Sequence, residues 1–169
     1  MPYQAEPETP DFSIENMPFD EVENVSSILT DIFNRNIAGE STEVGRTDFR
    51  QYVSPRNILA RIDGRNYEVW LGRKGGEIAA VAEIAPPSHI TLLFVVQAFR
   101  GTGIGRKLFD HVIERICAIN ENAACIDVTV NSVPASVGFY RHFGFEVNGE
   151  EKYREGILNI PLVKRIETE

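Results

Sequence analysis

Residues 90–119 constrain the fold of this chain more than any other stretch. Residues 90–96 form a near-continuous apolar run, as expected of a strand covered on both faces. That run enters Val96-Gln97-Ala98-Phe99-Arg100-Gly101-Thr102-Gly103-Ile104-Gly105-Arg106. A helical stripe follows over residues 103–119, with Ile104, Leu108, Phe109, Val112, Ile113 and Ile116 on one side. Arg106, Lys107, Asp110, His111, Glu114 and Arg115 lie opposite, a solvated face. The first amides of a helix have no internal acceptor, and the helix dipole is positive there. Glycines remove the Cβ atoms that would keep a ligand away from those amides. The combination is a cradle for linked phosphates. Arg100, Arg106 and Lys107 add positive charge to it in an otherwise acidic protein.

Two common phosphate-binding loops do not fit. The dinucleotide fingerprint needs G-x-G-x-x-G directly after the first strand of its unit. Here the glycines stand at 101, 103 and 105, late in the chain and several residues past the strand. The nucleoside-triphosphate loop needs Gly-Lys followed by Ser or Thr, which is absent.

The rest of the composition narrows the class further. A chain of 169 residues, 43% hydrophobic and 25% charged, has the size and make-up of one globular domain. Its formal net charge is −8, and the excess is local. Residues 1–34 contain no Lys or Arg but include Glu6, Glu8, Asp11, Glu15, Asp20, Glu21, Glu23 and Asp31; the remaining charges balance. That distribution argues against a nucleic-acid or anionic membrane surface, which needs clustered Lys and Arg. The apolar run at 90–99 is about half the roughly 20 residues of a membrane span. The N-terminus does not read as a signal peptide. Cys117 and Cys125, without CxxC spacing, make neither a zinc site nor a disulfide framework, and no metal is expected. A cytoplasmic protein with reduced thiols is the default.

Local signals order the elements. Residues 1–10 carry three prolines and read as a loosely ordered acidic tail before a domain at 11–169. A short strand follows at 12–15. Asp20 with Glu23 reads as a capping box before a helix whose apolar face is Val22, Val25, Ile28, Leu29, Ile32 and Phe33. Residues 40–53 are helical or irregular. Ser54-Pro55 opens a helix that stops at Asp63-Gly64. Strands at 67–72 and 77–85 flank a hairpin turn at residues 73–76. Residues 125–131 alternate, with Ile126, Val128 and Val130 facing one way and Asp127, Thr129 and Asn131 the other. Pro134 opens a short helix ending at Gly144, and residues 151–163 read as one or two strands with Pro161 at an edge or an end. The order is that of a mixed α/β sheet with a parallel crossover.

Arg100-x-x-Gly103-x-Gly105 after a buried strand resembles the coenzyme A signature of the GNAT (Gcn5-related) N-acetyltransferases. Thr129-Val130-Asn131-Ser132 and Phe139-Tyr140-Arg141-His142-Phe143-Gly144-Phe145 resemble that family's later block. The resemblance covers roughly residues 67–164. It implies a single-domain α/β fold whose mixed, mostly antiparallel sheet has splayed central parallel strands and is flanked by helices. It also implies transfer of the acetyl group of acetyl-CoA to a primary amine of a small molecule or peptide, by direct attack through a tetrahedral intermediate. A non-catalytic acyl-CoA sensor or regulatory module is the alternative. Dimerisation is common in the family, which leaves a homodimer open.

Carried over residue by residue, Leu93, Phe94 and Val95 would pair with the pantetheine arm or the acyl carbonyl. Gly101, Thr102, Gly103, Ile104, Gly105 and Arg106, with Arg100, would hold the pyrophosphate. Asn131 would bond the cofactor or an ordered water, and Tyr140 matches the family's frequent general acid. No carboxylate stands in the matching stretch 90–93, where many members carry their base. Glu83, alone in an apolar strand, Asp127, on the non-core face of its strand, and His89 are the candidates, with a water relay as the alternative. His142, like His111, reads as a solvated helix position. Cys125 has no evident activating partner. If the first helix borders the acceptor cleft, its carboxylates would attract polyamines, aminoglycosides or Lys-rich peptides.

Overall fold

The structure is a computed structural model describing residues 11–168. The tail expected at residues 1–10 lies outside the described residues. Strand β1 (Phe12–Asn16) precedes three helices, α1 (Val22–Asn36), α2 (Glu43–Tyr52) and α3 (Pro55–Arg65). Then come β2 (Glu68–Lys74), β3 (Glu77–Ala85) and β4 (His89–Val95), helix α4 (Ile104–Ile119) and strand β5 (Cys125–Ser132). Helix α5 (Val137–His142) and strands β6 (Glu146–Val147), β7 (Lys152–Arg154) and β8 (Ile157–Glu167) complete the fold. The sheet order is β1-β2-β3-β4-β5-β8-β6, and β7 pairs with β8. Every pairing is antiparallel except β4 with β5. The fold expected from the sequence is the one observed. No helix among the described residues is long and apolar enough to cross a membrane.

Each face of the sheet has its own core. Ile104, Leu108, Phe109, Val112 and Ile116 of α4 pack with Tyr140 and Phe145 against Ala80, Ala82, Ile84, Ile90, Val128 and Val130. On the other face, Val25, Leu29 and Phe33 of α1, Phe49 of α2 and Ile58 of α3 cover Val69, Leu71, Val81 and Leu92. The alternation of β5 and the stripe of α4 thus do what their periods dictate. The β2–β3 turn is the tight one its glycines allow, with Gly75 at φ 58° and Gly76 at φ 81°, the left-handed pair that matches strand twist.

Several local expectations need correction. Asp20 caps nothing: Phe19–Glu21 is a single 3-10 turn, and α1 starts at Val22 with no side-chain cap. The Glu21 carboxylate is drawn instead to Arg73 (3.0 Å), which also meets Glu15 (2.5 Å). Helix α3 runs through Gly64 and ends at left-handed Asn66 (φ 56°), whose amide bonds back to the Arg61 carbonyl. Residues 43–52 are helical because Thr42 accepts the Gly45 amide as an N-cap (3.1 Å), although only Gly45 and Phe49 of α2 are buried. His111 is not a solvated residue; its ring packs edge-on to Trp70 (4.3 Å). Pro161 is neither edge nor end but lies inside β8, opposite Asn131. Its carbonyl accepts from Asn148 (2.8 Å), just past the end of β6. The N and C=O of a strand residue point to the same side, so the missing N–H falls in the gap before β7 and costs β5 nothing.

One polar cluster ties helices to sheet. Glu83 is fully buried in β3 and takes the Nε (3.1 Å) and Nη2 (2.9 Å) of Arg61 on one carboxylate oxygen. Its other oxygen accepts from the Tyr52 hydroxyl (2.5 Å) and from Thr91 Oγ1 (2.7 Å). Arg61 also donates to the Tyr52 carbonyl (2.7 Å). A buried charge is tolerated only when it is paired and its lone pairs are occupied. Glu83→Ala strands the Arg61 guanidinium and is expected to destabilise the fold by about 3–5 kcal/mol in urea unfolding. A loss below about 1 kcal/mol would mean that the cluster contributes no more than a surface pair.

Candidate active site

The site begins where β4 and β5 part. They pair only at His89 with Thr129 and at Ile90 with Val130, although β4 continues to Val95 and β5 to Ser132. The Val96 amide bonds the Ala79 carbonyl (2.8 Å), which fixes the alternation along β4. Phe94, opposite Val81, therefore spends its main-chain groups on β3. Leu93 and Val95 turn theirs toward the opening between the strands, where no strand takes them. Of the three residues expected to offer main-chain groups, Leu93 and Val95 do so, and Phe94 contributes its ring.

Facing that opening is a cavity of about 540 Å³ that carries the glycine turn. Arg100, Gly101, Gly103, Gly105, Arg106 and Tyr140 all line it, with Leu93 and Val95. Gly101 (φ 77°) and Gly103 (φ 88°) are left-handed, and a Cβ on either would meet nothing within 4 Å but the open cavity. A Cβ on Gly105 would stand 2.9 Å from Val95 Cγ2, so that glycine lets α4 approach β4 closely. The first intrahelical bond of α4 is Lys107 to the Gly103 carbonyl (3.1 Å). The amides of Ile104, Gly105 and Arg106 are left for an outside acceptor. Two residues of the turn do not present side chains there. Thr102 Oγ1 bonds the Phe99 carbonyl (2.6 Å), and Ile104 is buried in the core.

Tyr140 enters from α5, with its ring edge-on to Phe139 and Phe145 at 5.3 and 5.5 Å. Burial raises its pKa above the ordinary phenol value, so the hydroxyl keeps its proton at physiological pH.

A second cavity, of about 520 Å³, opens on the α1–α3 face. Ile37, Phe94 and Val133 line both cavities, so the two meet at the strand fork. His89, Thr91, Tyr52 and Asn131 present polar groups to the second one. Thr91 is there because β4 bulges opposite the Glu83/Ile84 step, where Glu83 pairs with Leu92 and Ile84 with Ile90. His89 Nδ1 lies 2.7 Å from Thr129 Oγ1, which fixes the ring. Burial, then the charge of Arg154, lowers the His89 pKa below its usual 6.5. The imidazole is neutral at pH 7.

The remaining candidates sort by position. Glu83 lies beneath the second cavity and reaches it only through Tyr52 and Thr91, with both of its oxygens occupied. The Tyr52 hydroxyl is itself held protonated by burial and by the Glu83 charge. Asp127 lines neither cavity; its mostly exposed side chain faces Arg165 (3.9 Å) on the outer part of β5. Asn131 lines the second cavity, not the one with the glycine turn. Only the C-terminal end of α1 reaches the second cavity, through Phe33, while Glu21 and Glu23 lie outside both. Tyr52 and Arg61 had no sequence signal, since they meet Glu83 from two different helices.

Comparisons with known proteins agree with this geometry. A family profile described as an acetyltransferase (GNAT) domain matches residues 37–166. The chain belongs to the GNAT acetyltransferase family. Among solved structures it resembles a GCN5-related N-acetyltransferase of Rhodopseudomonas palustris, titled "Aminotransferase, Class-II" (TM-score 0.74, 15% identity, covering 91% of this chain and 95% of that one). It also resembles the PaiA N-acetyltransferase of Thermoplasma acidophilum in complex with coenzyme A (TM-score 0.71, 14% identity, 92% and 99% covered). A third is YncA, a putative acetyltransferase of Salmonella typhimurium with acetyl-CoA (TM-score 0.66, 17% identity, 93% and 94% covered). No curated protein sequence matches significantly.

The His89 environment has a measurable consequence. Its folded pKa lies below its unfolded one, so the unfolded chain binds more protons as pH falls from about 6.5. Stability from the neutral ring is present above that pH and lost as pH falls through the folded pKa. An NMR titration of the His89 ring is expected to centre below 6.5, and Arg154→Gln is expected to raise the midpoint. A midpoint above 6.5 would contradict the buried, neutral imidazole.

Proposed function

We propose that this protein is an N-acetyltransferase that moves the acetyl group of acetyl-CoA to a primary amine by direct attack. The observation that carries the reading is the convergence at one fork of open strand amides, a glycine-lined helix mouth and the Tyr140 hydroxyl. Bound acetyl-CoA supplies an acyl group activated as a thioester. The free amides of residues 104–106, with Arg100 and Arg106, suit its linked phosphates, and the left-handed glycines leave room for them. The main-chain groups of Leu93 and Val95 suit the amide-bearing arm, and the Val95 N–H is the donor available to a carbonyl oxygen gaining negative charge. Tyr140 holds a proton for the departing sulfur.

The amine enters from the second cavity. Of the three candidates for its proton, His89 is the one that lines that cavity, is neutral at pH 7 and has its ring fixed by a hydrogen bond. Glu83 acts by holding Tyr52 and Thr91 in place at the cavity wall.

Two measurements test the reading. Tyr140→Phe is expected to lower kcat for thiol release about 100-fold while the KM for acetyl-CoA stays within about twofold. An unchanged kcat would remove the phenol from the reaction. Gly101→Ala and Gly101→Glu share the strain of a side chain at φ 77°, but only the glutamate brings a carboxylate toward the phosphates, so its coenzyme A affinity by calorimetry should lie at least about tenfold below that of the folded Gly101→Ala variant. Equal affinity in the two folded variants would place the phosphates elsewhere.

A further inference from the structure

The walls of the second cavity are more selective than amine acetylation requires. Phe33 and Phe49 stack at 4.1 Å, and Phe94 meets Phe49 edge-on at 6.3 Å. Ile37 and Leu92 extend this apolar wall. Three charged residues also line the cavity, Asp48, Arg154 and Glu155. Arg154 and Glu155 are neighbours at the β7–β8 turn, both exposed; their charges sum to zero, although that of Arg154 still reaches His89. Asp48 differs: it is half-buried, adjoins Phe49 on α2 and has no ion-pair partner among the described residues. The lining thus carries one net negative charge, and Asp48 is its half-buried carboxylate, set beside the aromatic wall.

That pattern discriminates among amines. A primary amine arrives mostly as ammonium at pH 7, and a half-buried carboxylate and aromatic faces both attract it. A polyamine or aminoglycoside needs several carboxylates, and those at and before the start of α1 and along it are elsewhere, with Glu21 on Arg73, Asp31 on Arg35 and Glu23 outside both cavities. A free amino acid would bring a further carboxylate into a lining whose net charge is already negative. We propose that the acceptor is a primary monoamine with an aromatic or branched aliphatic body. Asp48 draws in the ammonium end, and the body packs on Phe94 and the open edge of Phe49, which the buried Phe33 backs. This rests on the N-acetyltransferase reading.

The test measures thiol release from acetyl-CoA with 2-phenylethylamine, 3-methylbutylamine, spermidine and phenylalanine. Calorimetric binding of 2-phenylethylamine is measured beside it, with coenzyme A present. The two apolar amines are expected to show kcat/KM at least about tenfold above the other two. Asp48→Asn is expected to raise the KM for 2-phenylethylamine about 3–10-fold at low salt, and Asp48→Glu to restore it. Better turnover of spermidine or phenylalanine overturns the proposal and leaves the N-acetyltransferase reading standing. So does an Asp48→Asn variant with unchanged KM. Coenzyme A binding with no turnover of any amine overturns both.

Discussion

Two parallel strands that pair at only two positions organise this protein. A parallel pair is normally stitched along its length, and each unmade bond leaves a donor or acceptor that must find a partner. Here β4 and β5 separate after Ile90 and Val130, and Leu93 and Val95 present their polar main chain to the gap. Each strand stays paired on its other side, β4 with β3 and β5 with β8. The opening is thus built into a rigid sheet and does not depend on a mobile loop. It admits a cavity from each face of the sheet, and the two meet at Ile37, Phe94 and Val133.

What keeps the two cavities different is the chemistry of their walls. The α4 side offers main-chain donors, two arginines and left-handed glycines, an environment for anions. The α1–α3 side offers aromatic rings, a neutral histidine and three charged residues that sum to one negative charge. The Glu83 cluster holds the second environment in place. Through Arg61 it fixes α3, through Tyr52 it fixes α2, and through Thr91 it fixes the bulge in β4. On its far side the cavity is closed by the β7–β8 turn, which docks on α2. The Thr42 amide bonds the Gly156 carbonyl (3.0 Å), and Gly45 leaves room where a Cβ would strike that carbonyl.

The reliability of sequence reading varied with the range of the interaction behind each signal. The stripe of α4, the alternation of β5 and the glycine turn each reflect contacts whose period or chemistry is written in a few consecutive residues. Helix α2 leaves a weak sequence signal because it buries so little that its apolar period is faint, and its start rests on one threonine. Pro161 misled because proline's usual place at an edge assumes that both sides of an interior strand are paired. The gap between β6 and β7 breaks that assumption at that residue.

The sequence by itself determined the glycine turn, the strand and helix that carry it, and the aromatic block containing Tyr140. These are local arrangements, and any fold accommodating them presents the same amides and the same ring. Only the tertiary structure decided what each isolated carboxylate and histidine does. Glu83 and Asp127 are both carboxylates within strands, yet one is buried under Arg61 and the other faces outward to Arg165. His89 became the residue at the cavity because Thr129 comes beside it from a strand forty residues away. The role of a titratable group depends on burial and on neighbours brought from distant parts of the chain, and no local pattern encodes either.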